Sequence, residues 1–165
     1  MVVVLMGVAG SGKTTVGAML AEALRCSFLE GDALHPPANI EKMSRGIPLN
    51  DADRAPWLTA IRARILQAEQ RGQCLVVACS ALKQQYRDFL SRGAAIIWVY
   101  LKGSQELIAA RLRHRSEHYM KPGMLPSQFA DLEEPSDALV VDISLAPAAI
   151  LQQLLPQLRA RQPSS

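Results

Sequence analysis

Long apolar runs are missing from this chain. Nowhere in its 165 residues do about 18 hydrophobic residues follow one another, so no membrane-spanning helix is expected. Cysteine is scarce: Cys26, Cys74 and Cys79 are an odd number without C-x-x-C spacing, and each lies in or beside an apolar run. That pattern reads as buried free thiols in a reducing compartment, not as a metal site or a disulfide framework. Aromatic residues make up only 5% of the chain, and Tyr119 alone interrupts its most basic stretch, residues 111–121. Stacking platforms for single-stranded nucleic acid are therefore lacking. The net charge of +3 is small; it permits an anionic substrate without demanding a polyanion. There is no internal repeat and no low-complexity tract. The apolar run Val2–Met6 has no basic residue before it and a glycine-rich turn right after it, so it reads as a strand and not as a signal peptide.

What is present is a core and a loop. At 49% hydrophobic, the chain suits one globular domain spanning residues 1–165. The first strand runs into Gly7, Val8, Ala9, Gly10, Ser11, Gly12, Lys13 and Thr14, spaced G-x-x-x-x-G-K-[ST], and a helical pattern opens at Thr15. This is the phosphate-binding P-loop. Glycines let successive backbone N–H groups close around a polyphosphate, and the helix start adds its positive dipole end. Lys13 reaches the β/γ-phosphates and the Thr14 hydroxyl is placed to ligate Mg²⁺. Residues 7–15 are thus the expected nucleotide site, with ATP and Mg²⁺ as cofactors.

The rest alternates between strand and helix. Strands are expected over 26–30, 74–79, 94–101 and 138–142, the middle two continuous in apolar residues as buried parallel strands are. Helices are expected over 38–44, from 50–53 up to Gly72, over 81–91, after the cap Ser104, over 128–132 and over 147–161. Trp57, Leu58, Ile61, Ile65 and Leu66 recur at helical spacing, which makes Trp57 a core residue. The alternation implies an α/β fold with a parallel sheet and right-handed crossovers. Ligands in such sheets bind outside the carboxyl ends of the strands, which gathers the P-loop, Glu30, Asp32, Ser80, Lys83 and Lys102 at one end.

Phosphoryl transfer needs a held polyphosphate, a metal, an oriented acceptor and cations for the moving charge. Asp32 is suited to accept the acceptor hydroxyl's proton or to hydrogen-bond it into line. The strand 74–79 ends without a carboxylate, so the Walker-B acid has no candidate there. Glu30 with Asp32 takes over that task in preference to Ser80, because carboxylates bind Mg²⁺ better than hydroxyls; Thr14 and Glu30 are the expected metal residues. On a helix, Arg111, His114, Arg115 and His118 share one face. That stretch reads as a lid over about 111–126, with Arg111 and Arg115 on the phosphates and His118 as a contact to the substrate; a solvated face or a nucleic-acid patch are the alternatives. An acceptor pocket is expected among His35, Arg54, Lys83 and Arg87, with the Arg54 fork on a carboxylate. An Asp51–Arg54 pair one turn apart is the plainer use of that arginine.

The strings Gly31-Asp32-Ala33-Leu34-His35-Pro36-Pro37 and Cys79-Ser80-Ala81-Leu82-Lys83, with the P-loop, residues 29–58, 99–103, 111–120 and Ser127-Gln128-Phe129-Ala130-Asp131-Leu132-Glu133-Glu134-Pro135, resemble the gluconate kinase (gluconokinase) family. The resemblance covers nearly the whole chain. It implies a three-layer P-loop NTPase fold with a five-stranded parallel sheet in the order 2-3-1-4-5, similar to shikimate and nucleoside monophosphate kinases. It implies ATP-dependent phosphorylation of D-gluconate at the 6-hydroxyl, by a cytoplasmic homodimer, with Asp32 and Arg54 facing the acceptor. A kinase for another small anion, or a nucleotide-switch or nucleic-acid module, are the competing readings. Glu30 stands where an aspartate is frequent and Thr14 where a serine is. Lys13→Ala is expected to abolish ATP turnover; undiminished turnover would remove the P-loop assignment.

Overall fold

Val2–Met6 (β1) is apolar at every position because it is covered on both faces and bonded along both edges. Val2, Val4 and Met6 point into one layer, Val3 and Leu5 into the other, and all five are fully buried. The structure, a computed structural model, describes residues 1–114 and 122–162. Around β1 stand Ser27–Glu30 (β2), Leu75–Ala78 (β3), Ile96–Lys102 (β4) and Leu139–Asp142 (β5), all parallel, in the order β2-β3-β1-β4-β5. The order implied by the resemblance is the order found. Each expected strand and helix is present, with ends displaced by a few residues.

Helices cover both faces. On one side Lys13–Leu24 (α1) and Pro147–Arg159 (α7), with Ile108 and Leu112 of Gln105–Arg113 (α5), pack on Val3, Leu5, Val76, Val99 and Val141. On the other, Asp51–Gln70 (α3) and Gln84–Ser91 (α4) pack Trp57, Ile61, Ile65 and Leu90 against Val2, Val4, Val77 and Trp98. Pro37–Ser44 (α2) buries Met43 in a small separate cluster with Leu49 and Met124, while Leu125–Asp131 (α6) sends Leu125 into the first of these two cores. α3 begins as its acidic start requires: the Asn50 side chain accepts from the Asp53 N–H at 2.8 Å and Asp53 accepts from the Asn50 N–H at 3.0 Å. Among the described residues no helix is long and apolar enough to cross a membrane.

The free-thiol reading is corrected at two of three positions. Ser27 pairs with Leu75 in the β2–β3 ladder, so the residues just before them, Cys26 and Cys74, are neighbours, and they form a disulfide. A separation of 48 residues carries no signal for this; only the register does. Cys79 remains a free, buried thiol, pushed up to about 12 chiefly by burial and therefore inert.

The disulfide sits at the amino ends of the strands, whereas the P-loop leaves the carboxyl end of β1. By loop-closure entropy, tying a segment of this length contributes about 4 kcal/mol. Reduction is expected to lower the urea midpoint of unfolding while leaving ATP turnover unchanged, measured on the same sample before and after a thiol reductant.

Candidate active site

The P-loop is shaped by its glycines and by a strand neighbour. A Cβ on Gly7 would lie 2.8 Å from Ser11 Oγ and 2.9 Å from the Leu101 carbonyl, so the turn out of β1 has room only for hydrogen. Gly12 caps α1 in the left-handed region, with φ 95°, which favours glycine even though open space surrounds it. The Gly7 N–H donates to the Ser80 carbonyl at 3.3 Å, which ties the loop to the end of β3. Lys13 Nζ donates to the Gly7 and Val8 carbonyls at 2.9 Å each and so lies across the loop. Val8 and Ser11 are buried behind it, and Ser11 Oγ has no hydrogen-bond partner among the described residues.

Ala9, Gly10, Gly12, Lys13, Thr14 and Thr15 line one half of a single cleft, and Asp32, His35, Arg54, Trp57 and Tyr86 line the other. The Thr14 hydroxyl donates to the Glu30 carboxylate, so the two residues expected at a metal do meet. A hydroxyl and one carboxylate are hard oxygen donors in the number suited to Mg²⁺, which keeps waters and substrate phosphates as its other ligands. Among the described residues no group of three or more His, Cys, Asp or Glu side chains gathers to hold a metal by itself.

The acceptor half is organised by Trp57. Its Nε1 donates to the Gly31 carbonyl at 2.8 Å, which fixes the 3-10 turn Gly31–Leu34 that carries Asp32, and its ring stacks on His35 at 4.2 Å. Gly31 is held as tightly from below, since a Cβ there would meet the Ala78 carbonyl at 2.3 Å. Trp57 is thus a core residue, as expected, that also positions the site. Asn39 Nδ2 donates to the Asp53 carbonyl and lies 3.2 Å from His35 Nδ1. Nδ1 must then accept, so the imidazole proton sits on Nε2, which faces Asp32 Oδ1 at 3.9 Å.

Arg54 is almost wholly buried and lies in the cleft, but its partner is not Asp51. Nη1 donates to the Tyr86 hydroxyl and Nη2 to Asp131 Oδ2, both at 2.9 Å. Burial works against its charge, while Tyr86 and Asp131 outweigh that effect and hold its pKa above the ordinary value. Asp51 instead accepts from Tyr86 and from Lys83, and these hydrogen bonds hold its carboxyl down to about 2.

Three expected cations stand elsewhere. Lys83 is engaged by Asp51 and is not among the cleft-lining residues. Arg87 is a correction to the acceptor set: it is buried, and its guanidinium donates to the Ala81, Leu82 and Glu133 carbonyls and to Gln84 Oε1. Those bonds secure the turn at Ala81, a non-glycine residue at φ 41°. Arg111 donates to the Ile143 carbonyl and does not line the cleft. Arg115 and His118, within the stretch 115–121 of the expected lid, lie outside the described residues. The reading of residues missed Tyr86, Asn39, Gln128 and Asp131; the last two lie in the string 127–135, whose short helix showed no direction toward the cleft.

Burial lowers the His35 pKa from 6.5, Arg54 adds to that, and Asp32 opposes it. The unfolded chain therefore binds the proton more readily, and His35 makes folding less favourable as pH falls below about 6.5. Wild-type stability to urea is expected to drop between about pH 7 and pH 5, by at most about 1.4 kcal/mol per pH unit from this group. His35→Gln should flatten that part of the slope, and an unchanged slope would show that His35 titrates as in the open chain.

The family described as shikimate kinase matches residues 9–154. The chain is 47% identical over 145 residues to the thermoresistant gluconokinase of Escherichia coli K12, covering 85% of this chain and 83% of that one. It is 46% identical over 162 residues to the gluconokinase of Gluconobacter oxydans 621H, covering 95% and 90%. A crystal structure of a gluconokinase from Sinorhizobium meliloti 1021 superposes with a TM-score of 0.86 at 45% identity, covering 96% and 91%. The APS kinase of Mycobacterium tuberculosis, at 17% identity and a TM-score of 0.73 over 96% of both chains, shares the fold alone. With relatives of that identity along nearly its full length, the chain belongs to the gluconokinase family, on the domain it shares with shikimate kinase.

Proposed function

We propose that this protein transfers the γ-phosphoryl group of ATP to the 6-hydroxyl of D-gluconate, giving 6-phospho-D-gluconate and ADP. The observation that carries the reading is the single cleft in which the P-loop faces Asp32, His35 and Arg54. A polyphosphate on the loop N–H groups and Lys13 would lie across from a carboxylate, a neutral hydrogen-bond donor and a guanidinium. A sugar acid offers a primary alcohol to the first, hydroxyls to the second and a carboxylate to the third. Gluconokinase names among relatives 41–47% identical support the same acceptor.

In this reading Asp32 accepts the proton of the attacking hydroxyl, or holds that hydroxyl in line. The Nε2–H of His35 donates to an acceptor hydroxyl or to Asp32. Arg54 has more N–H donors than Tyr86 and Asp131 use, and the remainder bind the carboxylate. Thr14 and Glu30 would hold Mg²⁺, which neutralises charge on the transferring phosphates. Arg111, Arg115 and His118 are proposed to close on the phosphates once nucleotide is bound, with Arg111 leaving the Ile143 carbonyl. We further infer a cytoplasmic homodimer of one domain per chain, taking no part in nucleic-acid or membrane binding.

Purified protein with Mg-ATP is expected to release ADP with gluconate and not with shikimate, AMP or no acceptor. Turnover with another acid alone would keep the kinase and discard the acceptor assignment, and turnover with none would return the nucleotide-switch reading. Arg54→Ala should raise the gluconate KM about tenfold or more, the loss of a charged hydrogen bond, with the ATP KM within about twofold. Asp32→Asn should lower kcat by about 10²–10⁴; equal effects of Arg54→Ala on both KM values would move Arg54 out of the acceptor site.

A further inference from the structure

One face of α6 touches both halves of the cleft. Gln128 Oε1 accepts the backbone N–H of Ala9, inside the P-loop, at 2.8 Å in a buried position. Three residues on, the carboxylate of Asp131 accepts from Arg54 Nη2 at 2.9 Å. Residues at that spacing lie on the same side of a helix, so a helix of seven residues has one polar contact on the nucleotide loop and the next on the acceptor arginine.

The helix is held from both ends. Beyond it, the Glu133 N–H donates to the Leu82 carbonyl at 2.9 Å, the Glu133 carbonyl accepts from Arg87, and Glu134 accepts from Tyr100. Before it, Met124 packs with Met43 and Leu49, and its own first residue, Leu125, is buried in the core. Neither Gln128 nor Asp131 is needed to fill the apolar core, and each spends its side-chain oxygen on a group of the site.

We propose that Gln128 and Asp131 are positioning residues: they fix the P-loop and the acceptor-side Arg54 to one rigid element, α6, and so set where the transferred group meets its acceptor. The proposal rests on the kinase reading above. Transfer between oxygens is sensitive to displacements of about 1 Å, which cost about 100-fold in rate. A contact that fixes the donor loop should act on kcat, whereas one that fixes the acceptor arginine should act on acceptor affinity. Because Asp131 acts through Arg54, its effect should vanish when Arg54 is gone.

The test is a set of variants assayed with gluconate and Mg-ATP, each first checked for wild-type circular dichroism. Asp131→Asn keeps the shape and is expected to raise the acceptor KM about tenfold, with the ATP KM within about twofold, and to have no further effect in an Arg54→Ala background. Gln128→Leu is expected to lower kcat about 10- to 100-fold with the acceptor KM within about twofold, and to speed hydrogen exchange at the Ala9 amide relative to that of Val4. Acceptor KM unchanged in Asp131→Asn, or an effect that multiplies with that of Arg54→Ala, overturns the role of Asp131. Unchanged kcat or unchanged Ala9 exchange in Gln128→Leu overturns that of Gln128.

Wild-type turnover separates this proposal from the reading beneath it. Should another acid be the one phosphorylated, its KM takes the place of gluconate's and the gluconate reading alone falls. Should no acid be phosphorylated, the role of Asp131 falls with the kinase reading, and Ala9 exchange still decides that of Gln128.

Discussion

The structure depends on the point where β1 stops. Its backbone is bonded on both sides, to β3 from Val2 to Leu5 and to β4 from Val2 to Met6, so the strand cannot shift along either neighbour. At Gly7 the chain must turn in a space bounded by Ser11 Oγ and the Leu101 carbonyl, where a side chain has no room. The turn, the capping Gly12 and the start of α1 follow from that exit. The neighbouring strands end alongside, and their loops bring Asp32 and Ser80 to the same rim, so one constrained turn decides where every other functional group has to be.

The acceptor half is built on charge balance. Lys83, Asp51, Tyr86, Arg54 and Asp131 form a continuous chain of hydrogen bonds in which two cations face two carboxylates. Arg54 could not be so deeply buried without such partners, because an unpaired buried guanidinium is strongly destabilising. Attraction by net charge is consequently weak in this half of the cleft, and an anionic acceptor is recognised through the direction of the N–H groups that remain. The neutral state of His35, with its proton placed by Asn39, follows the same rule: the acceptor half presents oriented donors instead of free charge.

Most of the fold is legible in the amino-acid sequence. The apolar strands, the polar helix start at 50–53, the cap at Ser104 and the P-loop spacing are local signals, and each is found where expected. The sheet order came from the resemblance alone, because strand spacing does not say which neighbours pair. Local signals point to Lys13, Thr14, Asp32, His35 and Arg54, and the structure places all five along one cleft. What they missed is long-range. Asp131 meets Arg54 across 77 residues and Gln128 meets Ala9 across 119, with no periodicity linking them. Arg87 was misread because a cation near the end of a strand looks the same whether it faces a ligand or a set of carbonyls. The Cys26–Cys74 pair was hidden for a related reason: only the β2–β3 register makes those residues neighbours.

The two ends of the sheet carry different burdens. At the amino ends, the covalent Cys26–Cys74 link ties β2 to β3. At the carboxyl ends the backbone takes up demanding shapes, in the P-loop and at Ala81, and each is braced by hydrogen bonds from elsewhere: Ser80 on Gly7, Arg87 on Ala81, Trp57 on Gly31, Gln128 on Ala9. Three of those four braces come from side chains on helices outside the P-loop itself. A loop that must keep its N–H groups aimed at a ligand cannot satisfy them internally, so its shape has to be imposed from the surrounding layers. That is why the residues that matter to the site extend well beyond those that line it.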